Sequence, residues 1–470
     1  MESRDSGNSI WVDYYALFET VVGDLETSDN LSTVIIDAIP KSAARALKQL
    51  EPGRVIEDLD SHFPVFLLVA KLEPGRAKAL AESAGWIELS IGTEWDGSEG
   101  SFEASEMSFD EDGEEARRPF WVTIKSTSVA KRNLSALAAL AEFPAIADAT
   151  ALNLIPFDCT NGIGGVAVYD VGQANLCALV NAVEHPVVFF DLGWPLSFNA
   201  KSRRLPGPFD PLTPALQGNA PQPVILSHLD WDHWGYAYQS GQTRFDSQKG
   251  HWRSVAKYKD EALRRPWLMR RPRFHRHKLG PSHLHFVLEL SRATLHDGSP
   301  ALSFWPARRA RLDFTHYTIV RCSPSQRCGA NAAFLRNNES LALVATLKHR
   351  TEKALLTGDA DYLSIPVNYR RGLTGVVAPH HGGAITDFST PTALLGGRMV
   401  RSTYPGCYRN VPSDDAEAEA VLSGWHIDST SDRYRCPKSC CTHGNKLIQL
   451  DTRTPQCTCG QVSLSGLCLS

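Results

Sequence analysis

The chain has 470 residues, 43% of them apolar and 21% charged, with a formal net charge of −4. At roughly 150 residues per domain this leaves room for two or three domains with sizeable cores. The charge balance excludes a global pull toward nucleic acid, and no run of about 18 apolar residues crosses a bilayer, so no membrane contact is expected. The segment Met1–Ser9 is polar, carries Glu2 and Asp5 and does not read as a secretory signal, which makes a cytoplasmic location the expectation. Eleven cysteines, crowded toward the C-terminus, read as reduced thiols rather than as a disulfide framework.

Residues 1–155 read as a small α+β accessory or regulatory module. Phe63–Leu72 is a strand-like apolar run, Glu73–Gly85 has helical spacing with Pro74 in its first turn, and Trp86–Ile91 returns as a strand. The pattern recurs as Phe120–Ile124 (strand), Lys131–Phe143 (helix) and Ile146–Leu154 (strand), which predicts a ferredoxin-like arrangement. Between the two halves, residues 96–118 are acidic and rich in Gly and Ser, and read as a solvated loop. The stretch Leu134–Thr150 also resembles the prodomain-like modules that accompany subtilisin-type proteases. That resemblance implies a regulatory, protease-like protein partner bound through this module.

From Gly164 the texture changes to short buried strands that end in polar residues: Gly165–Asp170, Val187–Asp191, Pro223–Leu226, Lys353–Leu356 and Gly375–Ala378. Open α/β folds keep their sites at such strand ends. After Leu226 comes His228-Leu229-Asp230-Trp231-Asp232-His233. In an extended loop His228, Asp230 and Asp232 would face one side, with His233 reaching a second ion. Imidazole and carboxylate together suit zinc or manganese, and two ions about 4 Å apart can share a hydroxide and clamp a phosphoryl or acyl group. Asp359, after a glycine at a strand end, is placed to bridge the ions, and the pair His380-His381 offers further imidazoles.

These motifs, in this order, resemble the metallo-β-lactamase superfamily, and within it the branch of the nuclease-like domain of ComEC competence proteins. The matching segments are Asp170-Val-Gly-Gln173, Asp191-Leu-Gly193, Ser227–Gly235, Asn337–Ser340, Leu355–Asp359 and Pro379–Gly382. The resemblance implies an α/β fold, an αββα sandwich, over about 162–430, two divalent metal ions and hydrolysis of DNA phosphodiesters. By position, His228 and Asp230 would hold one ion. Asp232, His233 and one of the histidine pair would hold the other, with Asp359 bridging. His380 is set as the ligand and His381 as a catalytic group beside Asp232 and His233, contacting substrate or protonating the leaving oxygen. Val411 stands where the family has a histidine before Pro412, so no group is carried over from that corner. ComEC proteins have membrane helices, so only the hydrolytic chemistry is carried over, not DNA import.

Within Arg253–Lys278, the arginines Arg264, Arg265, Arg270, Arg271 and Arg273 are interleaved with Trp267. Guanidinium groups pair with phosphates and aromatics stack on unpaired bases, so this stretch is expected to bind DNA, including single strands. The tail, 431–470, carries Cys436, Cys440, Cys441, His443, Cys457 and Cys459, ligands enough for a structural zinc. The expected function is a metal-dependent nuclease, of a kind that would fit bacterial antiviral defence. The alternatives are a hydrolase of a small phosphodiester, lactone or thioester, and an effector under the control of a protein partner.

Overall fold

A computed structural model describes residues 10–20, 31–83, 85–107, 118–143, 146–159, 162–182, 184–196, 202, 212, 221–328, 331–346, 351–408, 410–435 and 442–450. The chain divides into two compact units. One comprises Met1–Phe143, Ser240–Lys257 and Arg273–Glu289; the other comprises Pro144–Gln239, Tyr258–Pro272 and Leu290–Ser470. The division differs from a single boundary near 155–162, because two segments from within 162–430 fold with the first unit.

The first unit is built on β1 (Trp11–Thr20), β2 (Ser32–Pro40), β3 (Phe66–Leu72), β4 (Ile87–Gly92), β5 (Phe102–Glu106) and β6 (Pro119–Ser126). They form a closed barrel in the order β1-β2-β3-β5-β6-β4, with β1 antiparallel to both β2 and β4. Alternate residues fill its interior, among them Tyr14, Ala16 and Phe18 from β1 and Phe66, Leu68, Ala70 and Leu72 from β3. A returning hairpin adds Trp252: the Tyr14 hydroxyl donates to the Trp252 carbonyl at 2.8 Å and accepts from its N–H at 2.9 Å.

This barrel replaces the expected ferredoxin-like module. The strands and helix read between residues 63 and 91 exist as β3, the helix Pro74–Glu82 and β4, but β3 pairs with β2 and β5 while β4 pairs with β1 and β6. Of the strand expected at Ile146–Leu154, only Asp148 makes a parallel bridge, to Phe304, and Ala151–Leu154 is a turn of helix because Thr150 and Asn153 cap its start reciprocally. The acidic stretch 96–118 is not all loop. It contains β5, where Phe102 and Ala104 are buried and Glu103 is exposed. Residues 108–117 lie outside the described residues.

The second unit runs through β7 (Gly165–Val168), β8 (Leu176–Val180), β9 (Pro186–Leu192) and β10 (Val224–Leu226). The hairpin β11 (Tyr238–Asp246) and β12 (His251–Tyr258) leads away, and β13 (Trp267–Met269) and β14 (Leu302–Phe304) follow. Next come β15 (Arg311–Asp313), β16 (Tyr317–Arg321), β17 (Leu341–Thr346), β18 (Lys353–Leu356), β19 (Leu373–Val377), β20 (Ala393–Arg401) and β21 (His426–Ser429). A short pair, β22 (Tyr434–Arg435) with β23 (Thr442–His443), precedes β24 (Lys446–Gln449).

Two seven-stranded sheets result, ordered β14-β13-β10-β9-β8-β7-β24 and β15-β16-β17-β18-β19-β20-β21. One apolar cluster draws on both: Val166, Leu179, Phe190 and Ile225 from the first sheet meet Ile319, Leu343, Leu356 and Val400 from the second. Strands β9 and β10 are parallel, as are β18, β19 and β20. Parallel neighbours end on the same edge of a sheet, so residues that follow them gather there. The tail contributes β24 to the edge of the first sheet. The six proposed zinc ligands fall outside what the structure describes: Cys436, Cys440, Cys441, Cys457 and Cys459 entirely, and His443 as to its side chain. Cys159, Cys177, Cys322 and Cys407 are in no disulfide.

Candidate metal centre

Strand β10 is three buried apolar residues, and the chain beyond it has no regular structure until a single helical turn, Trp231–Trp234. The extended run that the sequence predicted therefore stops at Asp230. Asp232 and His233 are presented by consecutive helical positions, about 100° apart, rather than by alternation. Asp230 sits at the N-cap position of this turn, yet its carboxylate makes no capping bond. It lies 3.2 Å from His228 Nε2 on one side and 2.5 Å from the buried Arg336 Nε on the other.

Two glycines permit the close approaches. A Cβ on Gly193 would lie 2.0 Å from the carbonyl oxygen of Asp232, and one on Gly358 would lie 2.7 Å from Ser227. Gly358 also has φ +57°, a conformation that favours glycine. The Asp-x-Gly and Thr-Gly-Asp motifs thus bring β9 and β18 against the histidine motif. Asp191, His380 and His381 take φ of 64°, 49° and 56°, a left-handed backbone that costs non-glycine residues about 1–3 kcal/mol each.

Hydrogen bonds fix which nitrogen of each imidazole looks inward. His233 Nδ1 donates to Asp191 Oδ2 at 2.8 Å, and His381 Nδ1 donates to the Ser402 carbonyl at 2.7 Å. The Ser227 hydroxyl donates to Asp191 Oδ2 at 2.8 Å and so accepts from His228 Nδ1 at 2.9 Å. In all of them Nε2 is left facing carboxylates. His228 Nε2 lies 3.8 Å from Asp359, His233 Nε2 lies 3.2 Å from Asp359 and 3.8 Å from Asp232, and His381 Nε2 lies 3.1 Å from Asp232.

Neutral nitrogens and carboxylate oxygens repel at such distances unless something positive joins them. At His233 and His381 protons can fill that role. Burial pulls the His233 imidazole down, but the carboxylates of Asp359, Asp191 and Asp232 outweigh it and hold the group well above its ordinary range. Burial likewise lowers His381, but its hydrogen bond to Asp232 and the charges of Asp359 and Asp232 together outweigh this and raise it. Burial pushes both carboxyls up, but His233, His380 and His381 bring Asp359 well below the ordinary carboxylate value, and His233 and His381 bring Asp232 below it.

The donor set fits divalent cations. Two groups could each hold an ion, His228/His233/Asp359 and Asp232/His233/His381, the ligand atoms within each lying no more than 4.8 Å apart. His233 Nε2 and Asp359 Oδ1 are buried and make no hydrogen bond, which a shared cation would remedy.

Among the residues expected at the site, His228, Asp230, Asp232, His233 and Asp359 are brought together, and the histidine pair is reversed. His381 is buried beside Asp232, while His380 is exposed and belongs to neither group. The β20 edge decides this, because the Ser402 carbonyl anchors His381. Sequence reading missed three supports: Asp191, Ser402 and Arg336. Asp191 had a signal, a carboxylate at a strand end before a glycine. Ser402 acts through its backbone and had none. The Asp-Val-Gly-Gln segment braces the same edge, for Gln173 Oε1 accepts from Thr403 Oγ1 and Tyr404 N, both at 2.9 Å.

The structure buries part of the arginine-rich stretch and leaves Arg264 and Arg273 exposed. Arg265 is 1% exposed, and its guanidinium donates to the carbonyls of Glu261, Gln222 and Leu212. Trp267 is fully buried on β13 and donates to the Ala262 carbonyl, so it has no face for a base. Arg270 donates to the Cys322 carbonyl, and Arg271 donates to that of Ile146 while covering the Phe304 ring. Arg264 is exposed near Asp260, and Arg273 belongs to the first unit. The buried strand β13 sets Arg265, Arg270 and Arg271, on either side of it, against backbone carbonyls. No protein-family model matches the chain, and no curated protein is similar to it.

Proposed function

We propose that the chain is a metal-dependent hydrolase with the αββα metallo-β-lactamase fold, and that it cleaves a phosphodiester bond. The observation that carries this reading is the convergence of three imidazole Nε2 atoms on Asp230, Asp232 and Asp359 beside parallel strand ends. His228, with Asp230 and Asp359, would hold one ion; Asp232, His233 and His381, with Asp359, would hold the other. When bound, such ions supply Lewis acidity and make water a nucleophile at neutral pH.

The remaining work belongs to the chain's own groups. Asp191 and Ser402 hold the imidazoles in the tautomer that binds a cation. His380, exposed on the same turn as His381, is the group available to contact substrate or to give a proton to the leaving oxygen. The phosphodiester assignment rests on the ComEC-type motif order, with DNA as its first candidate. A second reading, hydrolysis of a small phosphodiester, lactone or thioester, is favoured by the burial of Arg265 and Trp267, which withdraws these two side chains from the expected polyanion contact.

The test is to incubate purified protein with plasmid, linear and single-stranded DNA, RNA, a small chromogenic phosphodiester, a lactone and a thioester. Each reaction receives Mn²⁺, Mg²⁺ or Zn²⁺, with Asp232→Ala as control. Cleavage confined to DNA supports the nuclease, and cleavage confined to small esters supports the second reading. Activity that survives Asp232→Ala rules out the metal centre.

A further inference from the structure

We propose that Arg336 is a positioning residue that orients Asp230 toward the ion at His228, so that this ion depends on Arg336 and its neighbour does not. The inference rests on the metal-centre reading and adds to it a residue outside the ligand set.

Arg336 lies near the end of the helix Ala332–Asn338, and its side chain is only 7% exposed. Asn331 caps that helix, its side chain accepting from Phe334 N at 2.9 Å. At the other end, Asn338 Oδ1 accepts from Asp361 N at 2.9 Å and from Ser364 Oγ at 2.7 Å, which ties the helix to the turn after Asp359. Leu341 N donates to the Ser227 carbonyl at 3.1 Å, which ties the following strand to the start of the histidine motif. Arg336 is therefore held by its backbone against both metal-bearing segments.

Its Nε lies 2.5 Å from Asp230 Oδ1, while Asp230 Oδ2 lies 3.2 Å from His228 Nε2. One carboxylate oxygen is ion-paired with the guanidinium and the other faces His228 Nε2. A carboxylate pinned this way offers one oxygen to a cation in a fixed direction, and guanidinium suits the task because its donors form a rigid planar fork. Asp232, the carboxylate beside His381, is paired with His381 and His233 instead. Loss of Arg336 should therefore weaken one ion selectively.

The experiment titrates metal-stripped full-length protein with Mn²⁺, and separately with Zn²⁺, by isothermal calorimetry, on the wild type, Arg336→Met, Arg336→Lys, Asp230→Asn and Asp232→Ala. Circular dichroism and melting of each metal-free variant exclude misfolded protein. The wild type is expected to take up two ions. Arg336→Met should weaken one of them about 10–100-fold, the range typical for loss of a partner behind a ligand, and leave the other within about threefold. Asp230→Asn should affect the same ion, and Arg336→Lys should recover part of the loss. Two unchanged constants in Arg336→Met, or two that fall together, would overturn the proposal. Should Arg336→Met misfold, Arg336→Lys decides alone: unchanged binding of both ions refutes the role. Absence of ion binding by the wild type, or wild-type binding by Asp232→Ala, refutes the metal centre itself and is a distinct result.

Discussion

His381 donates its Nδ1 hydrogen to the carbonyl oxygen of Ser402, 2.7 Å away, and by doing so presents its Nε2 to Asp232. The adjacent His380 has no such anchor and is exposed. His381→Ala should therefore abolish binding of the ion at Asp232, whereas His380→Ala should keep the full metal content. Elemental analysis after dialysis measures both, and equal metal loss in the two variants would contradict the assignment. If His380 serves the leaving group, its alanine variant lowers kcat with metal content intact.

Asp191 Oδ2 accepts from His233, Ser227 Oγ and Asn175, and its Oδ1 accepts from Ser227 N. Asp191→Asn keeps the shape but sets an amide NH₂ against at least one of these donors. Metal affinity should fall about 10–100-fold, as is usual when the group behind a ligating imidazole is changed. Competition with a chelating dye reads this directly. An unchanged affinity would remove Asp191 from the account.

The protonated imidazoles give the metal-free chain a particular pH dependence. His233 and His381 are raised in the folded state, so their contribution is complete below the ordinary value of about 6.5 and is lost as pH climbs through the folded values. Asp232 and Asp359 are lowered, so theirs is present above about 3.9 and is lost as pH falls through the folded values. The melting temperature of stripped protein should decline on the alkaline side, and Mn²⁺ should reverse that decline because it binds the native state alone. Calorimetry in buffers of different ionisation enthalpy should show proton release on metal binding. A melting temperature that is flat with pH would count against the charged cluster.

Trp267→Ala should cost about 3–5 kcal/mol of stability, as for other large buried aromatics. Arg265→Ala should also destabilise strongly, by leaving the carbonyls of Glu261, Gln222 and Leu212 without their donor. Arg264→Ala, which loses only an exposed pair with Asp260, should change stability by less than about 1 kcal/mol. Urea denaturation compares them. Loss of nucleic-acid binding by folded Arg265→Ala would restore this stretch as a substrate surface.

The ligand types and their strand-end setting were legible in the sequence, because both are local. A run of buried apolar residues predicts a strand, and polar residues just after it predict a site at the sheet edge. His228, Asp230, Asp232, His233 and Asp359 follow from that alone. What followed from tertiary structure was everything set by contacts distant along the chain. Ser402 chooses between two adjacent histidines through a backbone carbonyl, Arg336 reaches Asp230 across 106 positions, and the pairing of β1 with β4 turns two apparent β-α-β units into a barrel. Composition showed the arginines near residue 270 as a cationic run, but only the burial of β13 decided where their donors point, since a guanidinium inside a fold must satisfy carbonyls before it can meet a ligand.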